Sequence, residues 1–460
     1  MHKTVLSLIA FSLAVPAGAQ QVAPTAPTSY QRAIAAGYKA ATLCSAVFIA
    51  GRTPTAIDGE ELRGIYPEYD GIVPTLSADI DRKLRTVDVS FDPALPPRTA
   101  FWDSRDGCVL SPIGAGSAAS MEEEIKPDGT VVAPRIGPAA ADPRRWPQGD
   151  AGIAPRPPAA LAERVADAFG QTYGAGHTIG VVVLRDGEVV AERYGPGWGP
   201  LVANRTWSVA KSISGTLIGM AGLDPAKPAA VANWRGVGDP RGAITLDQLL
   251  RMASGLHGDT AGNRTDAIYF GGTAVDEQVP GLPLDAKPGS RFRYANNDIL
   301  LAVSAMRATL SDARYGEFPK ATLFAPLGMH HTVAERDWHG NYVLSSQVWS
   351  TARDLARLGQ FWLQDGVWAG KRLLPAGWMT YMTTPSGPQP ESGPGYGATL
   401  WLFGPKQGLP EGSYAAQGNR GQYVMVIPSR KLVIVRRGED PGAARFDIAK
   451  FAADVAAAVK

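Results

Sequence analysis

Val209, Ile213, Leu217 and Met220, with Thr216 among them, recur at helical spacing and predict a helix that opens at Ser208 and keeps one apolar face. Thr206 is placed to cap its start and Gly222 to follow its end. Upstream, residues 179–184 and 188–193 read as two strands joined through Arg185, Asp186 and Gly187, a strong hairpin signal. Downstream, the apolar runs 423–427 and 431–435 are joined by Pro428, Ser429 and Arg430 and read as neighbouring antiparallel strands. Helical patterns fill the middle at 246–252 and 352–363, another opens near Leu161, and one closes the chain at 446–459.

Together these elements predict an α/β (α+β) fold with two subdomains. An antiparallel sheet built from both ends of the region packs on terminal helices, the middle forms a mostly helical lobe, and a site lies in the cleft between them. Nearer the N-terminus, a helical stretch at 30–48 and strand-like segments at 84–91, 99–102 and 108–110 predict a small α+β extension. Residues 111–158 are rich in Pro, Ala and Gly, with an acidic cluster at 122–124, and read as a linker or a long surface-hugging connection. The expected divisions are a leader at 1–19, the extension at 20–110, the linker at 111–158 and a catalytic domain at 159–460.

The leader has the form of a secretory signal: Lys3, then the apolar stretch 5–15, then Ala17, Gly18 and Ala19 before Gln20. Export to the periplasm or beyond the cell is the expectation. The apolar stretch falls short of the roughly 20 residues of a membrane span, and no cysteine marks the cleavage site for lipid attachment, so no membrane segment is expected in the mature chain.

Composition narrows the classes. The chain has 460 residues, 45% hydrophobic and 19% charged, enough to bury a large core. Its 45 Lys and Arg nearly balance 43 Asp and Glu without a long basic run, so it carries no electrostatic footprint for nucleic acid. The two cysteines, Cys44 and Cys108, either pair as a disulfide in an oxidising compartment or stay as separately buried thiols. His330, His331 and His339 lack an H-E-x-x-H spacing, and neither cysteine has a neighbour at metal-ligand spacing, so no metal and no other cofactor is expected.

The chemistry lies in three short motifs. Ser208, Val209, Ala210, Lys211 form an S-x-x-K tetrad, whose ends share one helix face and bring a hydroxyl within reach of an amine. A lysine with its ordinary pKa of about 10.4 is protonated at neutral pH, so Lys211 acts as a base only where burial or a second cation lowers that value. The Ser208 backbone N–H, at a helix start, is placed to stabilise an oxyanion. Further along, Tyr294, Ala295, Asn296 read as a turn followed by a loop. Its phenol can relay a proton, and the Asn296 amide can fix Lys211 or a substrate carbonyl; alone, the tripeptide equally reads as a core tyrosine beside turn asparagines. Gln417, Gly418, Asn419 precede the last hairpin, where glycine lets a substrate approach the backbone. No G-x-S-x-G elbow is present, since Met252 stands two places before Ser254, which removes support for an α/β-hydrolase. Trp207, Trp349, Trp362 and Trp401 are candidate pocket walls or core residues, and the loops 257–279, with Tyr269 and Phe270, and 386–396 are candidate specificity loops.

In this order the motifs resemble the serine β-lactamase and penicillin-binding-protein superfamily, on its class C side. The flanking stretches 207–212, 245–256 (TLDQLLRMASGL), 326–329 (PLGM) and 350–360 (STARDLARLGQ) are similar to the group of 6-aminohexanoate-dimer hydrolase-like (nylon-oligomer hydrolase-like) proteins, with coverage from about Thr178 to the C-terminus. The resemblance implies a β-lactamase/transpeptidase-like fold, an acyl-enzyme on Ser208, Lys211 as base, Tyr294 as proton relay, and an oxyanion hole from the backbone N–H groups of Ser208 and Asn419. Asn296, Gln417, Gly418 and Trp207 are then supporting or substrate-binding positions. It implies a small amide or ester substrate. Esterase, β-lactamase or D-amino-acid peptidase activity on the same fold, or a non-catalytic penicillin-recognising protein, are the alternatives. One departure bears on these: Gln417 stands where the superfamily's K-T-G lysine provides charge for a substrate carboxylate, with Arg420 as a nearby cation.

Overall fold

The computed structural model describes residues 26–103, 107–115, 137–258, 264–442 and 444–459. The predicted leader and the acidic cluster at 122–124 lie outside the described residues. Among them no helix is long and apolar enough to cross a membrane.

The extension opens with the helix Ser29–Phe48, closed at its start by a capping box between Thr28 and Gln31. It lies on a four-stranded antiparallel sheet in chain order: β1 (Ala78–Asp81), β2 (Thr86–Val89), β3 (Arg98–Asp103) and β4 (Gly107–Leu110). Strand β1 escapes sequence reading because it is largely exposed and Ile80 is its one large apolar residue. The strand expected at 84–91 is shorter than its pattern, since Arg85 turns into the left-handed region at φ 58° to close the β1–β2 hairpin. A disulfide joins Cys44 on the helix to Cys108 on β4, with Cα atoms 6.0 Å apart.

The described part of the Pro-rich connection is tied down. The Trp146 indole donates to the Gly187 carbonyl at 2.8 Å, and the Arg357 guanidinium bonds the Pro147 and Gly149 carbonyls and Asp150.

The central sheet begins with β5 (Thr178–Arg185) and β6 (Glu188–Tyr194). Asp186 and Gly187 both have positive φ, as the tight turn between them requires. Next come β7 (Asn204–Arg205), β8 (Val333–Ala334) and β9 (Val348–Ser350), which form a separate sheet in the order β7-β9-β8. A small hairpin of β10 (Val367–Trp368) and β11 (Lys371–Arg372) follows. The chain then returns to the central sheet through β12 (Gly395–Tyr396), β13 (Trp401–Phe403), β14 (Ser413–Gly418), β15 (Gln422–Ile427) and β16 (Leu432–Gly438). The seven strands stand in the antiparallel order β12-β13-β14-β15-β16-β5-β6, so the two ends of the region meet at β16 and β5.

Strand periodicity divides the core. Val181 and Val183 face the helices Ala159–Asp167 and Ile448–Ala458, while Val182 and Leu184 face the helix Ala352–Leu363. That last helix approaches closely at Gly359, where an added Cβ would lie 2.5 Å from Val433. The middle of the chain is helical as expected, with Leu246–Leu250 and Asn296–Arg307 packed together, and Val209–Met220 lies between this lobe and β14.

The extension shares its core with the rest of the chain. Buried Arg98 donates to the Ala33, Ser111, Phe270 and Gly271 carbonyls, and Tyr38 packs edge-on against Phe270 at 5.0 Å. At Gly37 an added Cβ would fall 1.9 Å from the Phe270 carbonyl oxygen, so only glycine allows this approach.

Candidate active site

Strand β7 delivers the chain to the site. It pairs with β9, and Trp207 then turns through the left-handed region at φ 50°, a strained conformation for a tryptophan. Its ring is held beneath the Arg205 guanidinium, 3.8 Å from ring centroid to Cζ. Ser208 follows at the N-cap of Val209–Met220, and its side chain makes no capping bond. Thr206, the residue expected to cap this helix, is instead used two places earlier: its N–H bonds the Val348 carbonyl at 2.7 Å and its own carbonyl accepts from Val209. The Ser208 hydroxyl is thereby left for chemistry, half-buried in a cleft. Gly222, in the left-handed region, follows the helix end as predicted.

One turn on, Lys211 is 1% exposed, and its Nζ stands 2.8 Å from Ser208 Oγ. Burial pushes its pKa down to about 7. No second cation is required for this shift. The remaining partners are Asn296 Oδ1 at 2.7 Å and the Ser345 carbonyl at 3.0 Å. A neutral amine has two N–H donors and one lone pair; with both donors engaged by these acceptors, the lone pair is directed to the serine hydroxyl.

Asn296 is the first residue of the helix Asn296–Arg307, with Ala295 as N-cap, rather than part of the expected loop. The segment reads as a loop because Pro288, Gly289 and the paired asparagines resemble a turn, but Ile299, Leu300 and Val303 bury a helical face. The Asn296 amide nitrogen donates to Thr265 Oγ1 at 3.3 Å, which keeps its oxygen toward Lys211.

Tyr294 stacks on Trp401 at 5.4 Å and packs edge-on against Tyr396. Lys211 Nζ lies 5.0 Å from its ring centroid. Burial raises its pKa well above the ordinary phenol value, only partly offset by a hydrogen bond with Ser208, so it remains a proton donor at neutral pH.

Gln417 and Gly418 end β14 beside Ser208. A Cβ on Gly418 would fall 2.3 Å from the Thr206 carbonyl oxygen and 3.1 Å from Ser208 N, so this strand passes the serine at a distance that only glycine permits. Arg420 does not supply the cation anticipated here. It is buried on Glu439 at 2.6 Å and donates to the Glu60, Arg63 and Gly64 carbonyls, fastening the extension instead of facing the cleft.

The cleft encloses about 760 Å³ and is lined by Ser208, Tyr294, Asn296, Trp207, Gln417, Gly418 and Asn419, as anticipated, and also by Ser346, Tyr66, Glu68 and Arg264. Of the flagged aromatics, Tyr269 and Trp401 also line it, whereas Trp349 and Trp362 are core residues. Ser345 and Thr265 carried no sequence signal, because a backbone carbonyl and a hydroxyl that orient another side chain belong to no motif. Cys44 and Cys108 lie in the disulfide outside the cleft. His330, His331 and His339 each meet a different aspartate, Asp142, Asp150 and Asp276.

The family model described as Beta-lactamase matches residues 162–457. The chain is 28% identical over 320 residues to the 6-aminohexanoate-dimer hydrolase of Paenarthrobacter ureafaciens, a match covering 61% of this chain and 77% of that protein. In structure it is similar to a penicillin-binding protein homologue from Caulobacter crescentus, with TM-score 0.53 and 19% identity over 66% of this chain and 98% of that one. It is also similar to a class C β-lactamase, with TM-score 0.51 and 13% identity over 65% and 96% of the two chains.

Proposed function

The chain belongs to the Beta-lactamase family, and on that premise we propose that it is a serine hydrolase that cleaves an amide or ester bond through an acyl-enzyme on Ser208. The observation that carries this reading is the 2.8 Å approach of the buried Lys211 amine to the Ser208 hydroxyl, beside a phenol that stays protonated.

In the acylation half-reaction, Ser208 Oγ attacks the substrate carbonyl carbon as its proton passes to the Lys211 lone pair. The backbone N–H groups of Ser208 and Asn419 receive the oxyanion. Collapse breaks the bond to the amine or alcohol, which leaves with the Tyr294 proton, and Tyr294 is recharged from Lys211. Water then repeats the sequence on the acyl-enzyme and frees the acid, with no metal or cofactor in either half.

Gln417 and the turned-away Arg420 disfavour substrates anchored by a carboxylate, as β-lactams and D-amino-acid peptides are, and the aromatic walls favour an uncharged chain. The named relative puts the linear 6-aminohexanoate dimer in the panel as an amide whose ammonium and carboxylate ends test that preference. Export belongs to the same proposal, supported by the Cys44–Cys108 disulfide, a bond that persists in oxidising compartments.

The test is intact-mass spectrometry after exposure to a fluorophosphonate, with peptide mapping of the adduct. It is joined to a substrate panel of nitrocefin, short-chain p-nitrophenyl esters and the 6-aminohexanoate dimer. A single adduct on Ser208, lost with turnover in Ser208→Ala, is expected. Full ester turnover by Ser208→Ala would sink the assignment.

A further inference from the structure

The extension reaches the cleft. Its short helix Pro67–Asp70 follows Tyr66, and Tyr66, Pro67 and Glu68 all line the cavity that holds Ser208, opposite Arg264. Among the described lining residues the charged side chains are Glu68 and Arg264, and they are bonded to each other. Tyr66 covers the same guanidinium, with Arg264 Cζ 4.4 Å from its ring centroid, and its hydroxyl accepts from Asn419 Nδ2 at 3.5 Å. Asp266 lies farther from Arg264, at 3.7 Å, and the same Asp266 oxygen already accepts from the Tyr69 hydroxyl at 2.7 Å. The cleft therefore contains a cation, but one whose hydrogen-bonded partner is a carboxylate supplied by the extension.

The placement is specific. Arg420 holds the backbone of the preceding segment through the Glu60, Arg63 and Gly64 carbonyls, and Asp70 accepts from Gly64 N at 2.8 Å. Glu68 is thus presented from an anchored turn. It is a surface acid, and in the cleft it is the hydrogen-bonded partner of Arg264, with Asp266 as a second, longer ion pair.

We propose that the extension sets the charge of the substrates this cleft accepts: Glu68 occupies Arg264 and so selects uncharged chains, and loss of either partner opens the cleft to substrates of the opposite charge to the residue left behind. This rests on the Ser208 hydrolase reading and adds the specificity-determining pair to it.

The experiment uses three p-nitrophenyl esters of equal chain length ending in a methyl, a carboxylate and an ammonium group. In Glu68→Gln the kcat/KM ratio of the anionic to the neutral ester is expected to rise about tenfold, the worth of one charge-assisted hydrogen bond. In Arg264→Gln the ratio of the cationic to the neutral ester is expected to rise by a similar factor. In the double variant both ratios return to within about twofold of the native values, because the cleft is again uncharged. Circular dichroism checks folding, and the mirror-image single variant decides if one fails to fold. A native-like ratio in a folded single variant overturns the proposal, as does an anionic preference that survives in the double variant. Fluorophosphonate labelling separates the two levels: an adduct on Ser208 with unchanged ratios overturns this proposal alone, whereas no adduct on Ser208 in the native chain overturns the hydrolase reading as well.

Discussion

Asn296 Oδ1 lies 2.7 Å from Lys211 Nζ although 85 residues separate them, because each sits in the first turn of a helix and the two helices pack together. The contact keeps the lysine oriented without giving it a negative charge.

An acid in place of that amide would change the base. Asn296→Asp puts a carboxylate against Lys211 and should raise the pKa from about 7 by roughly 1–3 units. Native kcat/KM for a p-nitrophenyl ester should rise with pH through about 7, as Lys211 loses its proton, and the same limb in Asn296→Asp should move upward. Coincident limbs in the two proteins would show that the amide has no hold on the lysine.

Stability should respond to the same group. Burial holds the folded pKa of Lys211 at about 7 against an ordinary value of 10.5, so between these values the unfolded chain binds more protons and stability rises with pH. Below about 7 both states are protonated and the full cost of burying the ammonium applies. Lys211→Met removes this dependence. Its melting temperature relative to the native protein should therefore be more favourable at pH 6.5 than at pH 10, measured by calorimetry at both; a difference independent of pH would contradict a depressed lysine.

Gly418→Ala tests the close passage of β14. Its methyl group would meet the Thr206 carbonyl oxygen at 2.3 Å and Ser208 N at 3.1 Å, displacing the strand from Ser208. A loss of about 10² or more in kcat is expected, comparable to losing an oxyanion donor. Steady-state kinetics alongside a thermal melt check it, and native kcat would show that the strand has room to yield.

Breaking the disulfide should loosen the extension. Cys44 and Cys108 are 64 residues apart, and removing such a bridge typically costs about 2–5 kcal/mol. Cys44→Ser with Cys108→Ser should lower the denaturation midpoint accordingly, with reductant lowering only that of the native protein. Equal midpoints without reductant would mean the bridge adds nothing.

Much of this was legible in the sequence. The S-x-x-K pair is one helical turn and needs only local geometry, so Ser208 and Lys211 were readable, as were the hairpin at Asp186–Gly187 and the helix Ala352–Leu363, whose periods are strong. Tyr294 and Gly418 were readable through the family resemblance rather than through their surroundings. Helix starts were read less well: Thr206 proved to be a strand-end residue, and Asn296 opens a helix where turn-forming neighbours suggested a loop. Propensity describes a residue's local preference, and in both places packing across the chain overrode it.

The covalent order of residues determined the pairing of a hydroxyl and an amine on one helical turn and the alternating strands, because each depends on neighbours within a few positions. Tertiary structure decided the rest. Burial lowers the Lys211 pKa, the fold removes Arg420 from the cleft and brings Glu68 into it, and these outcomes depend on segments up to 360 residues apart. Desolvation and ion pairing are properties of enclosed space, and that space exists only once distant parts of the chain have packed around it.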